Sequence, residues 1–237
     1  MHVSGIVVAR LDSSRLPGKA LIEAGGIPLL EHVLTRAARI PGLGDLVLAT
    51  STRAVDDPLA EYAAKRGLPV FRGSALDVAG RVLACARGRG ADYFIRLNGD
   101  SPCPDPELIG RGLALCAEGS PDFVTNLIGR TFPYGVAVEI VRVASYAALY
   151  PLFGENGDRE HVTSYLYRHA AELDVRRMVS QDPTQAEVRL VVDTPDDLDR
   201  FRRLLEAAGP DFLAAGTEHL AGQWRSLFQP SPREPEP

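Results

Sequence analysis

The sequence predicts an α/β fold, a mostly parallel sheet with helices on both faces. Three observations predict it. Short apolar runs alternate with helical patterns of about 10–15 residues through the first two thirds of the chain, which is the pattern of βαβ units. The runs are apolar at consecutive positions (Ile6, Val7, Val8; Leu46, Val47, Leu48), as strands covered on both sides must be. The chain has 237 residues, 45% hydrophobic and 24% charged, enough to bury a substantial core.

The elements follow in order. Strands are predicted at Gly5–Ala9, Asp45–Thr50, Pro69–Arg72, Tyr93–Leu97 and Phe123–Thr125. Helices are predicted between them at Leu29–Ile40, Pro58–Arg66, Ala75–Arg87 and Pro106–Glu118. In the first helix Leu29, Val33, Arg36 and Ile40 share one face, with Leu30, Leu34 and Ala37 beside it. After Phe123 the pattern loosens. Val136–Val141, Asp174–Ser180 and Glu187–Val192 read as strands and Arg159–His169 as a helix, an insertion on the same domain. Thr194-Pro195-Asp196-Asp197 is a helix start: a hydroxyl N-cap, proline at the first helical position, acids in the first turn. That helix runs to Ala208 and stops at Gly209-Pro210. A last amphipathic helix, Thr217–Phe228, buries Leu220, Trp224, Leu227 and Phe228. One domain over residues 1–229 is expected, with residues 230–237, half of them proline, as a disordered tail.

Composition excludes several classes. A net charge of −5 argues against a nucleic-acid coat. The longest apolar run near the start, Ile6 to Ala9, is far short of the roughly 20 residues of a membrane span, and no signal peptide is read. Cys85, Cys103 and Cys116 are odd in number and in no ligand spacing. They fit a reducing cytoplasm, without a disulfide framework or zinc site.

The loop after the first strand carries the chemistry. Arg10-Leu-Asp-Ser-Ser-Arg15-Leu-Pro-Gly-Lys19 holds three cations, two hydroxyls and a glycine. Ligands of open α/β sheets bind beyond the carboxyl ends of the strands. Backbone N–H groups, guanidinium forks and an ammonium there would cradle a polyphosphate. From charge alone the loop fits a solvated surface equally well. It is neither a Walker loop nor a dinucleotide fingerprint. Asp100, in Asn98-Gly99-Asp100-Ser101-Pro102, and Asp193 each follow an apolar run. Two isolated carboxylates at strand ends suit Mg²⁺, which takes one or two carboxylates with substrate phosphates and waters. Asp196 and Asp197 are explained by helix capping.

Arg10-x4-Arg15-Leu-Pro-Gly-Lys19 after an apolar strand resembles the signature of the sugar cytidylyltransferases. These include the 3-deoxy-manno-octulosonate and acylneuraminate cytidylyltransferases. The group named after the spore-coat polysaccharide biosynthesis protein SpsF is most similar. The resemblance runs from about Val3 to Leu205, through Ala49-Thr50-Ser51, Phe71-Arg72-Gly73-Ser74, Asp77-Val78, Arg96-Leu97-x-Gly99-Asp100-x-Pro102, Arg130-Thr131-Phe132-Pro133, Arg159-Glu160-His161-Val162-Thr163 and Val192-Asp193-Thr194-Pro195. Each motif alone is weak; their joint order is specific.

The resemblance implies a Rossmann-like fold of the nucleotidyltransferase or glycosyltransferase-A type with a small β-rich insertion, and transfer of CMP from CTP to an acceptor. It assigns Ala9, Arg10, Arg15, Lys19, Arg72, Gly73, Ser74, Arg81 and Asp100 to the nucleotide. Arg10, Arg15, Lys19 and Asp100 are implied in catalysis, Asp100 and Asp193 in holding Mg²⁺. Arg130, Glu139, Arg159 and His161 are implied on the side of a small anionic acceptor. It also implies a homodimer through about Asn126–Tyr150. Three positions depart from the group: Val8 stands for a usual Gln, which bears on the base contacts, and Tyr134 for an acid and Ala137 for an Asp, which bear on the acceptor's identity. A nucleotide-sugar glycosyltransferase would carry an Asp-x-Asp pair where this chain has Asn98-Gly99-Asp100. A non-catalytic nucleotide-binding protein of the same fold is the other alternative.

Overall fold

The computed structural model describes residues 1–154 and 157–229; the tail expected at 230–237 lies outside them. The chain opens with β1 (Val3–Val8), then a short antiparallel ribbon of β2 (Glu23–Ala24) and β3 (Ile27–Pro28). Gly25 and Gly26 turn this ribbon with φ of +62° and +81°, the double positive φ that a two-residue hairpin requires. There follow α1 (Leu29–Ala37), β4 (Asp45–Ser51), α2 (Asp57–Lys65), β5 (Val70–Gly73), α3 (Val78–Gly88), β6 (Tyr93–Asn98) and α4 (Pro106–Gly119). The second part holds β7 (Phe123–Thr125), β8 (Glu139–Arg142), α5 (Val143–Leu149), α6 (Ser164–Arg168), β9 (Val175–Arg177), α7 (Pro195–Ala208) and α8 (Thr217–Phe228).

Seven strands form one sheet in the order β5-β4-β1-β6-β8-β7-β9. Only the pairings of β8, with β6 and with β7, are antiparallel. The predicted α/β class with a mostly parallel sheet is what forms. Alternation along each strand feeds two cores. Val7, Leu48, Ile95 and Leu97 pack with α1, α4, α7 and α8 on one face, and Ile6, Val47, Ala49 and Phe94 with α3 and α5 on the other. The ribbon and α5 were not read from the sequence; both are too short for a periodic signal.

Helix starts follow their capping residues. Asp77 accepts from the Gly80 N–H, so α3 begins at Val78 rather than at Ala75. Thr194 and Asp197 form a reciprocal capping box at α7. Two expectations are corrected. The helix expected over Arg159–His169 is confined to Ser164–Arg168, because His161 and Glu160 both donate to the Gly157 carbonyl in a turn whose glycine has φ +77°. The strand expected at Glu187–Val192 is an extended segment outside the sheet. Its bonds go to loops: Tyr134 N donates to Val188 O (2.8 Å), Leu190 N to Tyr134 O (2.7 Å) and Val192 N to Asp100 O (3.0 Å). Gly135 lets this contact form. At φ +103°, a Cβ there would sit 2.6 Å from the Val191 nitrogen.

Candidate active site

Strand order creates the site. From β1 the chain adds β4 and β5 on one side and β6 on the other, so the loops leaving β1 and β6 diverge at a topological switch point. Gly99 allows those two loops to touch at their base; a Cβ there would lie 2.8 Å from the Ala9 Cβ. Above it opens a crevice of 490 Å³. Ala9, Arg10, Arg15, Lys19, Arg81, Asp100 and Asp193 line it, and so do Arg130, Glu139 and His161. Val8, Tyr134 and Ala137, the three departures, are also in its wall.

A buried cation joins the two aspartates. Lys19 Nζ is 2.6 Å from Asp100 Oδ2 and 2.8 Å from Asp193 Oδ1. Burial works against the ammonium, but the two carboxylates more than offset it and hold the Lys19 pKa above its ordinary value. Gly18, at φ +72°, turns the chain into the short helical turn that carries Lys19. Asp193 is brought to Asp100 by the backbone, through the Val192–Asp100 bond, not as the end of a sheet strand. Arg15 reaches Asp193 Oδ2 at 3.2 Å and Arg189 reaches it at 3.4 Å. Arg189 also grips Asp197 through Nε and Nη2 at 2.7 and 2.8 Å. Burial opposes ionisation of Asp197, yet the Arg189 fork and the capping N–H groups pull its pKa down to about 2.

The remaining residues divide. Arg10 sits at the mouth, 3.4 Å from Glu160 and 3.5 Å from Asp12. Arg81 is 4% exposed, donates to the Ser74 carbonyl at 2.7 Å, and its buried Nε has no partner among the described residues. Arg72, Gly73 and Ser74 do not line the crevice. Arg72 is held by Asp57 at 2.6 Å and by the Ser51 and Arg53 carbonyls. Arg159 is also directed elsewhere, to Asp77 at 3.1 Å and the Tyr150 hydroxyl at 2.8 Å. None of these four residues lines the crevice. Tyr134 stacks between two guanidiniums, Arg130 at 4.6 Å and Arg189 at 4.9 Å.

Sequence reasoning missed two further cations at the site: Arg189, which reaches Asp193 without lining the crevice, and Arg96, which lines it. Arg189 lay in a run read as a strand. Arg96 lies on β6 and pairs with Glu139 at 2.6 Å. The signal for Arg96 was a lone cation inside the apolar run Tyr93–Leu97.

A nucleotidyltransferase fold is what these observations define, with the crevice at the switch point as its candidate active site. The chain belongs to the cytidylyltransferase family, whose profile matches residues 4–221. It is 31% identical to the spore coat polysaccharide biosynthesis protein SpsF of Bacillus subtilis over 223 residues, 89% of this chain and 90% of that one. It is 28% identical to the 3-deoxy-manno-octulosonate cytidylyltransferase of Mesorhizobium japonicum over 239 residues, covering 84% and 97%. The solved structure of a cytidylyltransferase from Leptospira borgpetersenii superposes with a TM-score of 0.89 at 27% identity, covering 96% of this chain and 95% of that one.

Proposed function

We propose that this chain transfers CMP from CTP to a small anionic acceptor, a sugar acid or a related molecule, releasing pyrophosphate, in the synthesis of surface-polysaccharide precursors. The observation that carries the reading is the buried Lys19 ammonium bridging Asp100 and Asp193 in the wall of a cation-lined crevice. Family membership and the similarity to SpsF and to the octulosonate enzyme support the choice of CTP and of the acceptor class.

In this reading an acceptor oxygen attacks the α-phosphorus in line. The bond from that phosphorus to the bridging oxygen breaks, and pyrophosphate leaves with the electron pair. An acceptor hydroxyl gives up its proton to solvent. Positioning and charge stabilisation supply most of the rate, as in phosphoryl transfer generally. Arg10, Arg15 and Lys19 offset the charge growing on the departing pyrophosphate. Arg81, buried and with no ion-pair partner among the described residues, adds positive charge to the crevice wall.

The residues present fit a divalent ion. Among the described residues no group of three or more His, Cys, Asp and Glu side chains could hold one. Asp100 and Asp193, however, already share one cation in the Lys19 ammonium. That donor set of two hard carboxylates suits Mg²⁺, which draws its other ligands from phosphate and water. When bound, the ion would neutralise charge at the α-phosphate.

A homodimer through about Asn126–Tyr150, one catalytic domain over 1–229 and a cytoplasmic location complete the proposal. Three buried free thiols agree with that location, as does the lack, among the described residues, of a helix long and apolar enough to cross a membrane. The test is pyrophosphate release from CTP with Mg²⁺ across a panel of sugar acids and phosphorylated alcohols, with Asp100→Asn as control. The reading expects release that depends on one acceptor and on Asp100. Acceptor-dependent release unaffected by Asp100→Asn would remove Asp100 from the mechanism.

A further inference from the structure

Two arginines are built into the interior, and they are treated differently. Arg36 is fully buried and spends all three nitrogens on backbone carbonyls: Nε on Pro104, Nη1 on Phe212 and Nη2 on Ala215. It ties α1 to the turn after α7 and, fully buried, is closed to a ligand. Arg96 stands on a central strand, on the face that carries Phe94 toward the core and Asn98 toward the crevice. A guanidinium there is costly unless its donors are used. Among the described residues its single hydrogen bond is Nη1 to Glu139 Oε2, and its Nε is buried without a partner. Its side chain is 23% exposed and forms part of the crevice wall.

Glu139, by contrast, has nothing to offer a ligand. It is 1% exposed. Oε2 accepts from Arg96, and Oε1 accepts from Thr163 at 2.6 Å and from Tyr167 at 2.9 Å. Four elements converge to hold one fork in place: β6, β8, the loop before α6, and α6 itself. An anchored guanidinium with free N–H groups is the arrangement that receives a planar oxyanion in a bidentate manner. Its bond to Glu139 draws Arg96 to the β8 side of the strand that leads to Asp100, opposite β1 and the Arg10–Lys19 loop that leaves it, and Leu127, Ala137 and His161 line the same crevice.

We infer that Arg96 is the residue that recognises the acceptor's anion, a carboxylate or phosphoryl group, and that Glu139, assigned to the acceptor by resemblance, instead positions Arg96. The inference rests on the proposed reading that the acceptor is anionic.

The test uses wild-type protein labelled with ¹⁵N-arginine. The Arg96 Nε–H signal is assigned by its absence from Arg96→Lys or, if that variant does not fold, from Arg96→Gln. Pyruvate, inorganic phosphate and the neutral pyruvamide are titrated with and without CTP. A saturable shift of the Arg96 signal by pyruvate or by phosphate, absent with pyruvamide and retained with CTP bound, supports the inference. Which of the two anions acts distinguishes a carboxylate acceptor from a phosphorylated one. Arg96→Lys keeps the charge and loses the fork, so it should weaken the effective anion at least tenfold. Glu139→Gln should weaken it too and also broaden the Arg96 signal. An unmoved Arg96 signal with both anions overturns the inference, as does a shift caused by CTP alone that abolishes the anion response. If CTP does not raise the melting temperature while pyruvate still moves Arg96, the nucleotide reading fails and the anion site stands.

Discussion

Lys19 and Asp193 are 174 positions apart in the chain and 2.8 Å apart in space, and the same ammonium lies 2.6 Å from Asp100. The lysine is a counter-charge shared by both carboxylates.

Replacing that lysine should therefore have two opposite effects. Lys19→Met should bind Mn²⁺ alone more tightly than wild type, by about tenfold, because an internal competing cation is gone. It should bind CTP more weakly, and lose more affinity for CTP than for CMP, because its charge faces the β- and γ-phosphates in the proposed reading. Calorimetric titration of metal and of each nucleotide separates the two. Equal losses for CTP and CMP would contradict that placement.

Asp100→Asn and Asp193→Asn should each reduce turnover at least about a hundredfold, and the double variant little further. Both changes disable one shared site, so their free energies should not add. Single-turnover rates for the four proteins close the cycle; additive losses would mean two separate roles.

The capping pair Asp197–Arg189 should give the fold an acid limit. Asp197 is held down to about 2 from an ordinary 3.8. A depressed carboxylate contributes stability that is complete above its unfolded pKa and lost as pH falls through its folded pKa. Between pH 5 and 2, wild type should therefore lose about 1–2 kcal/mol that Asp197→Asn does not. Urea melts across that range measure the difference, and parallel curves for the two proteins would rule it out.

Gly99→Ala tests the base of the crevice. A Cβ at 2.8 Å from the Ala9 Cβ must push the β1 and β6 loops apart, at about 1–3 kcal/mol. Melting temperature should fall and CTP affinity with it. A variant that binds CTP like wild type would show that the two loops tolerate separation.

The sheet was legible because its strands are apolar at successive positions and helices separate them, so β1, β4, β5, β6 and β7 fall where those runs lie. Asp193 was expected at a strand end for a related reason: Val188, Leu190, Val191 and Val192 are all buried. Burial was read correctly, but their backbone groups bond to Tyr134 and Asp100, partners no local pattern encodes. Arg72–Ser74 follow β5, and strand-end logic puts them on the ligand edge. It does not say that β5 is the sheet's far edge, with β4 and β1 between it and β6. Arg96 carries no local signal of its role, because its partner Glu139 lies 43 positions away.

An anomalous-scattering map from crystals grown with Mn²⁺ and CTP tests the shared carboxylate site. One manganese peak bonded to both Asp100 and Asp193 is expected, with the triphosphate on the Arg10–Lys19 loop and the Lys19 ammonium moved onto its phosphates. Manganese bound away from these two carboxylates, or a triphosphate lying outside that loop, would contradict it.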